Sequence, residues 1–273
     1  MTVLVAESVN VLSAAPSLAP CVREHDDSLS PKNFLQSRPP GVYTCVRVHR
    51  RTQANDVTLV HWSFHLTRLV HNVTQIDPIL TTDQLDQFQR TTESLITTIL
   101  SQWQSVDAVL SILWYPLEDG SAYGVAVHLW PLPPSPPSFW TLLIYGEGRQ
   151  QASLKHTRWI QERKAIEEHK THLEHTRGEP IHEVLLSQRD AQGERVVLEG
   201  LITNFFVGKE RDQRVYTAPH DVLNGSMRDL VLQTCEALSI PVVYQAPKLS
   251  ESTSWQAAFV TSTHTSFALV LTY

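Results

Sequence analysis

A basic surplus, a useful number of cysteines and a long apolar run are all missing from this chain, and each shortage narrows what it can be. Lys and Arg number 22 against 28 Asp and Glu, a net charge of −6. With no excess cations to neutralise phosphates, nucleic-acid binding is not expected. The three cysteines, Cys21, Cys45 and Cys235, are odd in number and far apart. They offer neither a disulfide framework nor a thiolate metal site, and so sparse a set fits a reducing compartment. No apolar stretch approaches the length of a membrane span, so no membrane association is expected. The opening "MTVLVAESVNVLSAAPSLAPCVREHDDSLS" lacks the basic start of a secretory signal. A cytoplasmic location is the expectation, with organelle targeting through this leader as the alternative. The sequons at Asn72 and Asn224 are short triplets of a kind that arises by chance, and nothing else points to secretion.

The hydrophobic share of 42% and charged share of 18% are those of a soluble globular protein. A length of 273 residues is comfortable for two domains. The reading is a loosely ordered leader over 1–36, a small α+β domain over 37–145 and a larger domain over 146–273. In the first, "GVYTCVRVHRRTQANDVTLVHWSFHLTRLVHNV" reads as a strand, a polar turn, a second strand and a helix from near Trp62. "TTDQLDQFQRTTESLITTILSQW" repeats its apolar residues at helical spacing (Leu85, Phe88, Leu95, Ile99) after a polar start. "AVLSILWYP" and "YGVAVHLWPL" read as paired strands around a Glu118–Asp119–Gly120 turn, and "FWTLLIYG" as one more strand beyond the Pro-rich segment 131–137. The second domain carries the helical "WIQERKAIEEHKTHLEH", strands at "IHEVLLSQ", "VLEGLITNFFV" and "VYTAP", a helix from Ser226 to about Ser239, the strand "PVVYQ" and a last strand "AAFVTSTHTSFALVLTY".

Five pieces carry the chemistry, each weak alone. Glu199 stands inside the apolar "VLEGLITNFFV" beside a glycine, with Asn204 further on. An acid buried there needs a partner, and a cationic ring nitrogen of a bound cofactor is one; a glutamate reaching solvent from a strand edge is the alternative. Lys155, in "SLKHTRW", precedes a helical run. Its amine, once free of its proton, forms a Schiff base with an aldehyde; a surface lysine is the alternative. "LNGSMRD" opens a helix, where Gly225 lets backbone approach a ligand and the N–H groups of Ser226 and Met227 suit a phosphate. An ordinary turn capped by Asp221 or Asn224 explains the same residues. Ser262 and Thr263 in "TSTHTS" offer hydroxyls at a strand end, and Arg68 in "HLTRL" offers a guanidinium fork. A Thr-rich strand and a solvent-facing arginine are the alternatives.

Taken in order, these motifs resemble the class IV aminotransferases, the fold-type IV pyridoxal phosphate enzymes. That family includes branched-chain and D-amino acid aminotransferases and aminodeoxychorismate lyase. "PPGVYTCVRV" is similar to its opening strand, "FHLTRL" to its His-x-x-Arg-Leu helix, "LEGLITNFFV" to its Glu-Gly-x-x-x-Asn strand, "VYTAPHDVLNGSMR" to its Thr-x-Pro and Leu-x-Gly-x-x-Arg pair, and "AAFVTSTHT" to its final phosphate-binding strand. The likeness runs from about Pro39 to Val270. It implies an α+β fold of two domains with pyridoxal 5'-phosphate in a cleft between them, in a homodimer acting on an amino acid and a 2-oxo acid. Lys155 would hold the cofactor as an internal aldimine and later shuttle the α-proton. Glu199 would pair with the pyridine nitrogen, and Asn204 and Gly225 would also belong to the cofactor site. Arg68, the Ser226 and Met227 amides, Ser262 and Thr263 would bind the phosphate. Two other outcomes stay open, a lyase of the aminodeoxychorismate type and a non-catalytic relative that keeps the fold for binding.

The chain also departs from the family pattern. The Lys155–Glu199 interval is long, the tyrosine usual after the lysine is replaced by Trp159 nearby, and Asn224 and Met227 stand where Pro and Thr are common. Arg47, His128 and Arg158 are the candidates for a substrate carboxylate, Arg47 being expected to point away. His169, His172 and His175 lie among Glu, Lys, Thr and Arg, so a solvated helix is expected there and no metal site. Trp130 and Trp140 read as core and loop anchors.

Overall fold

The protein is described by a computed structural model over residues 3–9, 11–12, 21–25, 29–51, 56–103, 107–117, 122–134, 137, 139–209, 213–263 and 268–270. The expected Glu118–Gly120 turn lies outside these residues. Two compact units emerge, Met1–Pro133 with Lys155–Gln161, and Pro134–Leu154 with Glu162–Tyr273. The division therefore falls at Pro133 rather than at 145. The reason is pairing, because the strands between 139 and 147 hydrogen-bond to strands of the second unit.

In the first unit, strands β1 (Val3–Ser8), β2 (Cys21–His25), β3 (Val42–Arg51), β4 (Asp56–Leu59), β5 (Asp107–Pro116) and β6 (Tyr123–Pro131) form one antiparallel sheet in the order β2-β1-β6-β5-β3-β4. The expected loose leader is corrected here. Val3–Ser8 runs between β2 and β6, and Val3, Leu4, Val5 and Ala6 are at most 3% exposed. The apolar run "VLVA" is long enough to fill a strand position that is covered on both sides. Helix α1 (Pro31–Gln36) starts at the Ser30 N-cap with Pro31 in its first turn. It delivers Phe34 onto His128, rings stacked at 4.7 Å. Helices α2 (Trp62–Ile76) and α3 (Thr82–Gln102) join β4 to β5. A Thr81–Gln84 capping box starts α3, and its Phe88 stacks on Trp114, whose indole N–H donates to Thr92 at 2.9 Å.

The second unit holds β7 (Phe139–Trp140), β8 (Leu142–Glu147), β9 (Glu183–Arg189), β10 (Arg195–Gly200), β11 (Asn204–Lys209), β12 (Arg214–Thr217), β13 (Val242–Tyr244), β14 (Trp255–Thr261) and β15 (Ala268–Val270). The order is β7-β15-β14-β11-β10-β9-β8, with β12 beside β11 and β13 beside β12. Only Thr141 separates β7 from β8 although they stand at opposite ends, so this sheet curls back on itself. Three sequence expectations change. "FWTLLIYG" is two strands with different partners, not one. The last strand is the antiparallel pair β14–β15, with 264–267 outside the described residues. The helix after Lys155 is broken at Arg163 into α4 (Arg158–Glu162) and α5 (Lys164–Arg177), close to the point where the chain leaves the first unit at Gln161. Helix α6 (Ser226–Ala237) follows β12.

The most consequential change concerns "VLEGLITNFFV", which is a hairpin rather than one strand. β10 ends at Gly200, Leu201–Thr203 make the bend, and Asn204 opens β11 directly opposite Glu199. Glu183 holds this bend. Its carboxylate accepts from the N–H of Ile202 (3.2 Å), the hydroxyl of Thr203 (3.0 Å) and the N–H of Val184 (2.8 Å). Gly200 is required because a Cβ there would collide with Thr203 and Glu183.

Amide hydrogen exchange tests the N-terminal strand. The amides of Val3–Ser8 that bond into the ladder should exchange on the slow timescale of β5 and β6. Exchange as fast as that of an unstructured peptide would contradict the placement of β1.

Candidate functional site

The sequence-predicted residues fall on both units. In the first, β4 covers only the Val48–Arg51 end of β3 and leaves its start as an edge. The Lys155 segment takes that edge. Tyr43 N–H donates to the Lys155 carbonyl (3.0 Å), Thr157 N–H to the Gly41 carbonyl (3.0 Å), and Gly41 N–H to the Thr157 hydroxyl (3.0 Å). From α2, the Asn72 side-chain oxygen accepts the Lys155 N–H at 3.0 Å. Asn72 is thus buried and committed, which removes that sequon from consideration. The Lys155 ammonium lies 4.6 Å from the centroid of the Tyr43 ring.

His65, Arg68 and Asn72 recur at helical spacing along one side of α2. Arg68 donates to the Thr44 hydroxyl at 2.8 Å and sits over the Phe64 ring. Burial brings its guanidinium down from 12.5 to about 10, against the nearby Cys45 and Tyr43. At that value it is still a cation at neutral pH. His156, next to Lys155, is buried and accepts the Arg158 N–H at Nδ1. Burial first, then the Arg158 charge, lower it from 6.5 to about 4.

In the second unit, Glu199 is buried and both of its oxygens accept hydrogen bonds. Oε1 accepts from Arg149 Nε at 2.9 Å; Oε2 accepts from Leu223 N–H at 2.8 Å and from the Asn204 amide at 3.4 Å. The two ion-paired side chains are 7% and 4% exposed. Register along β10 shifts between Val197 and Gly200, as a bulge does. Accordingly Leu198 packs on Ala218 and Val222 while Glu199, the very next residue, bonds to Leu223 in the same loop. Asn204 pairs with Glu199 on one side and Thr261 on the other, so the three share a sheet face. The Thr261 hydroxyl is buried there without a hydrogen-bond partner. Helix α6 begins at Ser226 with no side chain capping it, and the Ser226 hydroxyl meets that of Thr263 at 3.3 Å. Gly225 has a reason within the fold itself. The space its Cβ would fill is taken by the Asn204 side chain, so the glycine makes room for that amide.

The Amino-transferase class IV profile matches residues 41–271. The chain belongs to the class IV aminotransferases. Solved structures with the same fold include a branched-chain aminotransferase of Thermoproteus uzoniensis with norvaline, at TM-score 0.69 and 14% identity, covering 97% of this chain and 86% of that one. A fold IV-transaminase of Curtobacterium pusillum matches at TM-score 0.69 and 15% identity, with coverages of 97% and 89%. A hypothetical aminotransferase of Mycobacterium tuberculosis in its PLP-bound form matches at 0.66 and 20%, with coverages of 97% and 89%. No curated protein sequence matches the chain. The fold is the α+β architecture of fold-type IV. The cofactor of this class IV family is pyridoxal 5'-phosphate, and solved relatives hold it or its pyridoxamine form.

For a class IV aminotransferase the residues present suit such a cofactor. An uncapped helix N-terminus, hydroxyls at 226 and 263, and an orphaned buried hydroxyl at Thr261 make a donor set for an anion. The substrate candidates do worse. Arg47 is paired with Asp107 at 3.3 Å, and His128 is a core residue bonded to the Leu29 carbonyl at 2.9 Å. Arg158 is exposed. His169 stacks on Tyr145 at 4.0 Å, and among the described residues no group of three His, Cys, Asp or Glu gathers. No helix of the described residues is long and apolar enough to cross a membrane. Sequence reasoning missed Arg149, whose guanidinium also binds the carbonyls of Ala152 and, at 3.2 Å, Leu154. The available signal was the acid itself, since a buried carboxylate demands a cation and "YGEGR" ends the preceding apolar strand. Glu183 and His65 were missed as well.

Arg149→Ala should destabilise the protein by about 3–5 kcal/mol, because it strands a buried carboxylate. The check is the urea midpoint, and Arg149→Met with Glu199→Gln should recover most of the loss. A second expectation concerns acid. The unfolded chain protonates His156 near 6.5, the folded chain only near 4, so stability is full above 6.5 and falls as pH drops through that window. Buried His65, also lowered, acts in the same direction. Urea midpoints across this range should show a shallower slope in His156→Gln.

Proposed function

We propose that the chain is a pyridoxal phosphate-dependent aminotransferase, moving an amino group between an amino acid and a 2-oxo acid. The observation that carries this reading is the buried Arg149 guanidinium. It holds the Glu199 carboxylate and also the carbonyl of Leu154, the residue directly before Lys155. When bound, the cofactor supplies the electron sink that loosens bonds at the amino acid's α-carbon.

The rest is work for the chain's own side chains. Lys155 would hold the cofactor through its amine and would carry the proton to and from the α-carbon. Glu199 would accept the ring N–H and keep that proton in place, while Arg149, Asn204 and the Leu223 N–H hold the acid in position. The Ser226 and Met227 amides, Ser262, Thr263 and Arg68 bind the phosphate. A homodimer is the assembly proposed, following the family.

Purified protein incubated with pyridoxal phosphate should gain a near-ultraviolet to visible band that borohydride bleaches. Lys155→Ala should show no borohydride-reducible attachment, and its persistence would reassign the lysine. Glu199→Gln should still bind cofactor yet lose turnover by orders of magnitude. Half-reactions with D- and L-amino acids should yield the matching 2-oxo acid. Cleavage of an amino-bearing substrate instead would make the protein a lyase, and a chain that stays colourless would be a non-catalytic relative.

A further inference from the structure

Among the proposed phosphate ligands Arg68 stands on the first unit, and two buried side chains aim it. Its Nη2 donates to the Thr44 oxygen at 2.8 Å, and that oxygen lies 2.7 Å from His65 Nδ1. A guanidinium only donates, so Thr44 accepts from Arg68 and has its own hydrogen left to give. The imidazole nitrogen is the acceptor in reach, which places the His65 proton on Nε2. Thr44 and His65 are 0% and 1% exposed. Burial first, then the charges of Arg68, Lys155 and His61, keep the imidazole well below its ordinary 6.5 and therefore neutral at pH 7. Phe64 supports the same arrangement, lying under the Arg68 guanidinium at 5.2 Å and edge-on to His65 at 6.1 Å. The guanidinium is thus pinned at one nitrogen and stacked on one face.

We propose that His65 is a positioning residue which, through the Thr44 hydroxyl, fixes Arg68 in the orientation that grips the cofactor's phosphate. The chain's preference for pyridoxal phosphate over pyridoxal then depends on an imidazole that touches neither. This rests on the reading of Arg68 as a phosphate ligand, and the two can be separated.

The experiment measures dissociation constants of pyridoxal phosphate and of pyridoxal for the full chain and its variants. Thr44→Val keeps the side chain's shape and removes the hydroxyl; His65→Phe keeps a ring and removes the acceptor. Each should weaken pyridoxal phosphate by roughly tenfold and leave pyridoxal within about twofold, the scale of one hydrogen bond to a charged group. Thr44→Ser, which restores the hydroxyl, should bind both as the parent does. Equal losses for both ligands, or no change in their ratio, would overturn the proposal. Arg68→Ala separates the two ideas. If it leaves the ratio intact, the phosphate reading of Arg68 fails. If it collapses the ratio while Thr44→Val and His65→Phe preserve it, only the relay fails. Should His65→Phe prove too unstable to purify, Thr44→Val decides alone.

Discussion

Burying a carboxylate and a guanidinium removes several kcal/mol of hydration from each, and only close geometry with further hydrogen bonds offsets that. The Arg149–Glu199 pair meets both conditions. Glu199 receives the guanidinium, a backbone N–H and an amide; Arg149 gives its remaining nitrogens to the carbonyls of Ala152 and Leu154. The features around the pair serve to make it possible. The irregularity in β10 turns Glu199 toward the loop at Leu223, Gly225 leaves room for Asn204, and Glu183 folds the bend that sets Asn204 opposite the acid.

The first unit applies the same logic to a lysine. A short β4 leaves the start of β3 unpaired, and the Lys155 segment fills it with three backbone-directed hydrogen bonds. Asn72 adds a fourth from α2. With its main chain held at both N–H and C=O, Lys155 has only its side chain left to move, which suits the role proposed above for its amine. The neighbouring imidazoles of His65 and His156 are both held neutral by burial, so they add no competing positive charge beside Lys155 and Arg68.

Substrate recognition is where family resemblance helps least. Of the residues considered for a substrate carboxylate, one is neutralised by Asp107 and another belongs to the stack of Phe34 and Trp130. The long interval after Lys155 is occupied by α5, which has no buried residue and rests on the unit through contacts such as Ile166 against Gly146. It is a surface helix whose Lys164–Glu168 pair faces solvent, while Lys170–Glu174 is half-buried and Glu174 also accepts the Ile181 N–H.

Much was legible from order and periodicity alone. The starts of α2 and α6 follow from apolar spacing and that of α3 from its capping box as well, and the order of Arg68, Lys155, Glu199, Gly225 and Thr263 marks the family, because such signals are local to a few residues. What escaped was set by distant partners. The apolar run around Glu199 looks like one strand until Glu183, from another strand, draws in the bend; Val3–Ser8 looks like a leader until β2 and β6 close on it. The cation for Glu199 lies 50 residues away in sequence. Chain statistics report how a segment prefers to fold, whereas the partner of a buried charge is decided by which groups the tertiary structure carries out of water together.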